Sequence, residues 1–159
     1  MARSPQLEWT MAFPFNLAEG CPVSAYDKPC TVLYVEDNAD NLALVEQILT
    51  RHRNLKFLAA TNGPTGILLA REHRPDVILM DINMPSMSGL AVLEVLLANA
   101  KTANIPVVAL SSDAYPKQIE KGIKAGFFGY MTKPFMINEL EAVVESAIAH
   151  SITKKLSHS

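Results

Sequence analysis

From residue 31 onward the chain alternates between short β-branched or apolar runs and longer stretches whose apolar residues recur at helical spacing. The runs fall at 31–35, 56–60, 77–80, 106–110 and 129–132. Between them the helical pattern is carried first by Leu42, Val45, Ile48 and Leu49, and then by Ile67, Leu68 and Ala70. It continues through Leu90, Leu93, Leu96 and Leu97, then Ile119 and Ile123, and last 137–148 with Leu140, Val143, Val144 and Ala147. Asn38, a Gly63-Pro64 pair and Pro116 stand where helices should begin, since Asn caps free N–H groups and proline suits a first turn. Strands that alternate with helices cannot pair as hairpins. They must lie parallel, with right-handed crossovers that cover both faces of the sheet. The runs at 77–80 and 106–110 are accordingly apolar throughout, as strands buried on both faces are.

Five such units predict an α/β fold of the flavodoxin-like (βα)5 kind, a doubly wound parallel sheet in the order 2-1-3-4-5. The predicted domain covers residues 30–151. Residues 1–29 carry Pro5, Pro14, Pro22 and Pro29, with Trp9, Phe13, Phe15 and Tyr26 in no period. They read as a flexible lead or linker, or as a segment that docks its aromatics on this domain or on a partner. Residues 152–159 read as a disordered tail.

Composition narrows the function classes. Of 159 residues, 49% are hydrophobic and 19% charged, which suits a packed core, and a net charge of −2 provides no basic field for nucleic acid. No apolar run reaches the ~18–20 residues of a membrane helix, because Glu94 interrupts the richest stretch. No signal peptide is evident, and a cytoplasmic location is expected. Cys21 and Cys30 lie outside the periodic region, and neither they nor His52, His73, His150 and His158 show metal-ligand spacing.

In an open parallel sheet, ligands bind beyond the carboxyl ends of the strands. Glu36 and Asp37 follow the first run, Asp81 the third, Ser111 the fourth, and Lys133-Pro134 the fifth. Three carboxylates gathered at one edge repel one another unless neutralised, and a hard divalent cation with oxygen ligands, Mg²⁺, does this. Ser111 adds a hydroxyl donor and Lys133 a mobile positive charge suited to phosphate. The set is that of a phosphoryl-transfer site, where positioning and charge neutralisation do most of the catalysis.

Four stretches, "LYVEDN", "VILMDINMPSMSGL", "IPVVALSSDA" and "GYMTKPF", stand in this order and at these spacings. Through them, residues 31–150 resemble the receiver domain of two-component response regulators. The resemblance implies that Asp81 is the phosphoacceptor, a carboxylate nucleophile charged from phosphohistidine. It implies that Asp37 holds Mg²⁺ directly and Glu36 through water, with Asn83 giving its backbone carbonyl. Ser111 would be the switch hydroxyl, Lys133 the phosphate-pairing lysine on a cis bond to Pro134, and Tyr130 the aromatic that turns inward. Glu36 stands where Asp is commoner, and Ser111 where Thr is.

The implied partners are a sensor histidine kinase or a histidine phosphotransfer protein, with an unknown output protein contacted through helix four, strand five and helix five. No nucleic acid or membrane partner is expected, and a homodimer is left open. The domain would catalyse only its own phosphorylation and dephosphorylation. The opening also resembles receivers attached to hybrid sensor kinases, so a stand-alone regulator and a fragment of such a kinase both remain open. The alternative function is a pseudo-receiver, a constitutive interaction module that is never phosphorylated. A flavodoxin or hydrolase is disfavoured, because the chain has neither a phosphate-cradling Gly loop nor a GxSxG elbow. Asp113 reads either as the opening of a turn before Pro116 or as an acid beside the water that hydrolyses the acyl phosphate.

Overall fold

The computed structural model describes residues 29–52, 54–113 and 115–157. The strands are β1 (Cys30–Val35), β2 (Leu55–Ala60), β3 (Val77–Asp81), β4 (Val107–Ser111) and β5 (Gly129–Thr132). The helices are α1 (Ala39–Leu49), α2 (Gly63–His73), α3 (Gly89–Ala98), α4 (Pro116–Ala125) and α5 (Ile137–Ser157). All pairings are parallel and the sheet order is β2-β1-β3-β4-β5, the flavodoxin-like arrangement expected.

The two sheet faces bury different residues, because alternate side chains of a strand point to opposite sides. Val32 and Tyr34 of β1, Leu79, and Val108 with Leu110 pack with Leu42, Val45 and Leu49 of α1 and Leu140, Val143 and Val144 of α5. Leu33, Val35, Ile78 and Met80 pack with Ala70 of α2, Val92, Leu93 and Leu96 of α3, and Ile119 of α4. Every residue of β3 and of β4 is buried.

Local chemistry sets the helix starts. The Asn38 side chain accepts hydrogen bonds from the N–H groups of Asp40 and Asn41, that of Asn62 from Thr65, and that of Ser88 from Ala91. Proline occupies the first turns of α2 and α4, as expected.

Four expectations need correction. The last helix continues to Ser157, so residues 152–157 are helix rather than tail. The apolar period breaks at His150 and Ser151, yet Ser151 is buried and Ile152 packs on the α1–α5 layer, which prolongs the helix. Leu68 points outward, because the inner face of α2 is made by Gly63, Gly66 and Ala70. Leu97 is likewise exposed, and Val92 takes a core position instead. Cys30 is the buried first residue of β1 rather than a residue outside the periodic region. The lead itself, with Cys21 and its aromatics, lies outside the described residues, as does His158.

Candidate functional site

The sheet delivers the chemistry to one edge by ending its strands there. β3 terminates on Asp81 and β4 on Ser111, so both side chains are fixed by ladder hydrogen bonds up to their own backbone. Glu36 and Asp37 follow β1 directly, and the Glu36 N–H still donates to the Ala60 carbonyl at 2.9 Å. Lys133 follows β5, with its N–H on the Ser111 carbonyl at 2.8 Å and a cis bond to Pro134.

Carboxylate oxygens of Glu36, Asp37 and Asp81 lie within 4.8 Å of one another. Glu36 and Asp81 are buried and Asp37 is exposed, so the cluster opens to solvent on the Asp37 side. The Lys133 ammonium donates to Glu36 Oε2 at 2.7 Å and to Asp81 Oδ1 at 3.3 Å. One ammonium against three carboxylates leaves a surplus of negative charge. That surplus, with hard oxygen donors only, is the donor set a small divalent cation needs.

The two buried acids respond in opposite directions. Burial resists the charge of Glu36, but hydrogen bonds from Lys133 and Tyr34 outweigh it and hold the carboxyl below its ordinary range. Burial raises Asp81, Lys133 counteracts only partly, and the nearby Glu36 charge raises it further.

The other candidates surround this pair. The Asn83 N–H donates to Asp81 Oδ1 at 3.3 Å, and its side-chain amide to Ser111 Oγ at 3.4 Å. Ser111 Oγ also accepts from the Asp113 N–H at 3.0 Å. Tyr130 is buried against Gly122 of α4, its ring turned inward and its hydroxyl donating to the Asp113 carbonyl at 3.4 Å. Burial raises the Tyr130 phenol above its usual range. The structure thus brings together every residue singled out for the site.

Sequence reasoning missed Tyr34, whose hydroxyl donates to Glu36 Oε2 at 2.7 Å from within the α1–α5 layer. The signal was available, since residues two apart on a strand share a face. Of the histidines, His52 was assigned nothing, yet its Nε2 lies 2.8 Å from Glu141 Oε2 and ties the end of α1 to α5. No described helix is long and apolar enough to cross a membrane.

What these strands carry to one edge, and the order in which the sheet arranges them, is the layout of a CheY-like α/β module. The family is specific: residues 32–145 match the response regulator receiver domain, and the chain belongs to that family, a signalling module of two-component systems. The polar-differentiation response regulator DivK of Brucella anthropi is 34% identical over 118 residues, covering 74% of this chain and 95% of that protein. A probable cyclic di-GMP phosphodiesterase of Vibrio cholerae is 32% identical over 127 residues, 80% of this chain but only 28% of that longer protein. Among solved structures, the receiver domain of a Pseudomonas aeruginosa sensor histidine kinase, with magnesium coordinated in its active-site cleft, superposes with a TM-score of 0.68 at 28% identity. That match covers 75% of this chain and 97% of that one.

Proposed function

We propose that this domain accepts a phosphoryl group on Asp81 from phosphohistidine of a sensor histidine kinase or histidine phosphotransfer protein, and passes the signal on by protein contact or onward transfer. The observation that carries the reading is the buried Asp81 carboxylate, fixed at the end of β3 with the Lys133 ammonium 3.3 Å from it. One Asp81 oxygen attacks phosphorus, an O–P bond forms, and the P–N bond breaks with its electron pair going to the departing imidazole. Lys133 follows the negative charge from carboxylate to phosphoryl oxygen, and the Ser111 hydroxyl donates to a second phosphoryl oxygen.

Asp37, Asp81 and the Asn83 carbonyl would hold Mg²⁺, with Glu36 acting through water. When bound, the ion neutralises charge shared by carboxylate and phosphoryl oxygens. Engagement of Ser111 shifts the population of the β4–α4 segment and of Tyr130, and so alters the α4–β5–α5 face offered to a partner. The domain turns over no external metabolite in this reading.

The test is capture of beryllofluoride in Mg²⁺, followed by base- and hydroxylamine-labile labelling from a phosphohistidine donor. Wild type should do both, and Asp81→Asn, with an amide in place of the nucleophile, should take no label. Labelling of Asp81→Asn at normal stoichiometry removes the site. Failure of wild type to capture beryllofluoride leaves the constitutive interaction module.

A further inference from the structure

Glu36 Oε2 accepts from two donors at once: Lys133 Nζ at 2.7 Å and the Tyr34 hydroxyl at 2.7 Å. Its other oxygen, Oε1, accepts from the Asn38 N–H at 3.3 Å. Tyr34 has no exposed surface, and its ring packs in the layer under α1 and α5. Lys133 is the shared group in this arrangement. It sits closer to Glu36 than to Asp81 Oδ1, at 3.3 Å, so any demand for its charge at Asp81 must be met by drawing it away from Glu36.

We infer that Tyr34 is a positioning residue whose hydroxyl keeps Glu36 Oε2 satisfied when Lys133 turns to a phosphoryl group on Asp81. A buried carboxylate oxygen stripped of all donors is costly. With Tyr34 in place it loses one donor of two. Without Tyr34 it would lose its only donor, and Lys133 would stay with Glu36. Glu36 also makes the contact possible: residue 36 continues the line of β1 and projects on the same side as residue 34, and the extra methylene of Glu over Asp carries the carboxylate back to the phenol. A phenol is protonated at neutral pH, so the Tyr34 hydroxyl, 2.7 Å from Glu36 Oε2, stands as a donor. The hydrogen bond also draws charge from Glu36 and lessens its pull on a cation.

The inference rests on the proposed phosphoryl chemistry, and Tyr34→Phe tests it while keeping the ring that packs the core. Removing the hydroxyl should move two readouts in opposite directions. Mg²⁺ affinity by calorimetry should rise by roughly threefold, because Glu36 regains charge density. Beryllofluoride affinity at saturating Mg²⁺ should fall by roughly threefold or more, because Lys133 is withheld. In a Glu36→Asp background, where the shorter arm does not reach the phenol, Tyr34→Phe should have no effect on either, and this closes a double-mutant cycle. A loss of packing alone would weaken both ligands together and lower the melting temperature in both backgrounds, and that result overturns the inference. So does an unchanged Tyr34→Phe in a protein whose wild type captures both ligands. A wild type that captures neither ligand overturns the phosphoryl reading and this inference with it.

Discussion

In the proposed reaction Asp81 must be buried enough to exclude bulk water and charged enough to attack phosphorus, and its neighbours set how far these demands conflict. Burial and the Glu36 charge raise its carboxyl, and Lys133 at 3.3 Å only partly offsets them. The exposed Asp37 stands on the open side of the cluster, and should be the acid on which cation binding most depends. Asp37→Ala should weaken Mg²⁺ by about tenfold or more, ~1.4 kcal/mol, with a smaller loss for Glu36→Ala, and calorimetry on the three proteins gives the ranking. Equal affinity of wild type and Asp37→Ala would refute the assignment.

Asp113 offers a cleaner test than the sequence alone suggests. Its contribution to Ser111 is made by its backbone N–H, which alanine retains, while its carboxylate is exposed beside the site. If that carboxylate orients the attacking water, Asp113→Ala should lengthen the phosphoryl half-life severalfold, about 1 kcal/mol in barrier, with uptake from the donor nearly unchanged. An unaltered half-life assigns Asp113 to the turn. Glu36, Asp37, Asp81, Ser111 and Lys133 were legible in the sequence, because each sits at the end of an apolar run. Tyr34 was not, because a tyrosine inside a strand reads as core until its i+2 neighbour is recognised as a buried acid.

The elements hold the site by close approach as much as by hydrogen bonds. Gly89 opens α3 directly over the end of β3. A Cβ there would come 2.7 Å from the Asp81 carbonyl oxygen and 2.9 Å from Ile82 Cα, both backbone atoms with no freedom to turn aside. Alanine would gain less than ~1 kcal/mol of helix propensity at this first position, against roughly 1–3 kcal/mol of overpacking. Gly89→Ala should therefore lower stability by about 1–2 kcal/mol in denaturant unfolding and impair beryllofluoride capture by displacing the Asp81 backbone. A variant as stable as wild type would show that α3 shifts freely.

The same elements show where sequence reasoning stops. The positions of strands and helices followed from periodicity, and the strand order from the doubly wound arrangement that five such units favour. The inward faces of α2 and α3 did not follow so well. At α2, Gly66 lets the helix approach Val35 closely, and the bulky Leu68 is left outside. Helix length failed at α5, where Ser151 is buried on a face that hydrophobicity alone does not mark.

For the molecule as a whole, the acidic edge sets function against stability. Asp81 has a folded-state carboxyl raised above its ordinary value, so folding disfavours its charged form. Its contribution to stability is neutral while the group is protonated in both states. It turns unfavourable as pH climbs from the unfolded-state value through the raised folded-state value, and stays unfavourable above that. Glu36 has the opposite sign. Its lowered carboxyl adds stability that is complete above the unfolded-state value and is lost as pH falls through the folded-state one. The two acids partly cancel near neutrality, and Asp81→Asn removes only the unfavourable member. The metal-free variant should thus melt at a higher temperature than wild type at pH 7, with the difference shrinking as pH is lowered past the ordinary Asp range. Mg²⁺ should also shrink it, since a cation that binds only the folded wild type stabilises it by mass action. The measurement is a set of thermal melts of both proteins across pH 3–8, with and without Mg²⁺. A variant less stable than wild type at pH 7 without Mg²⁺ would mean that the Lys133 contact, rather than burial, governs the energetics of Asp81.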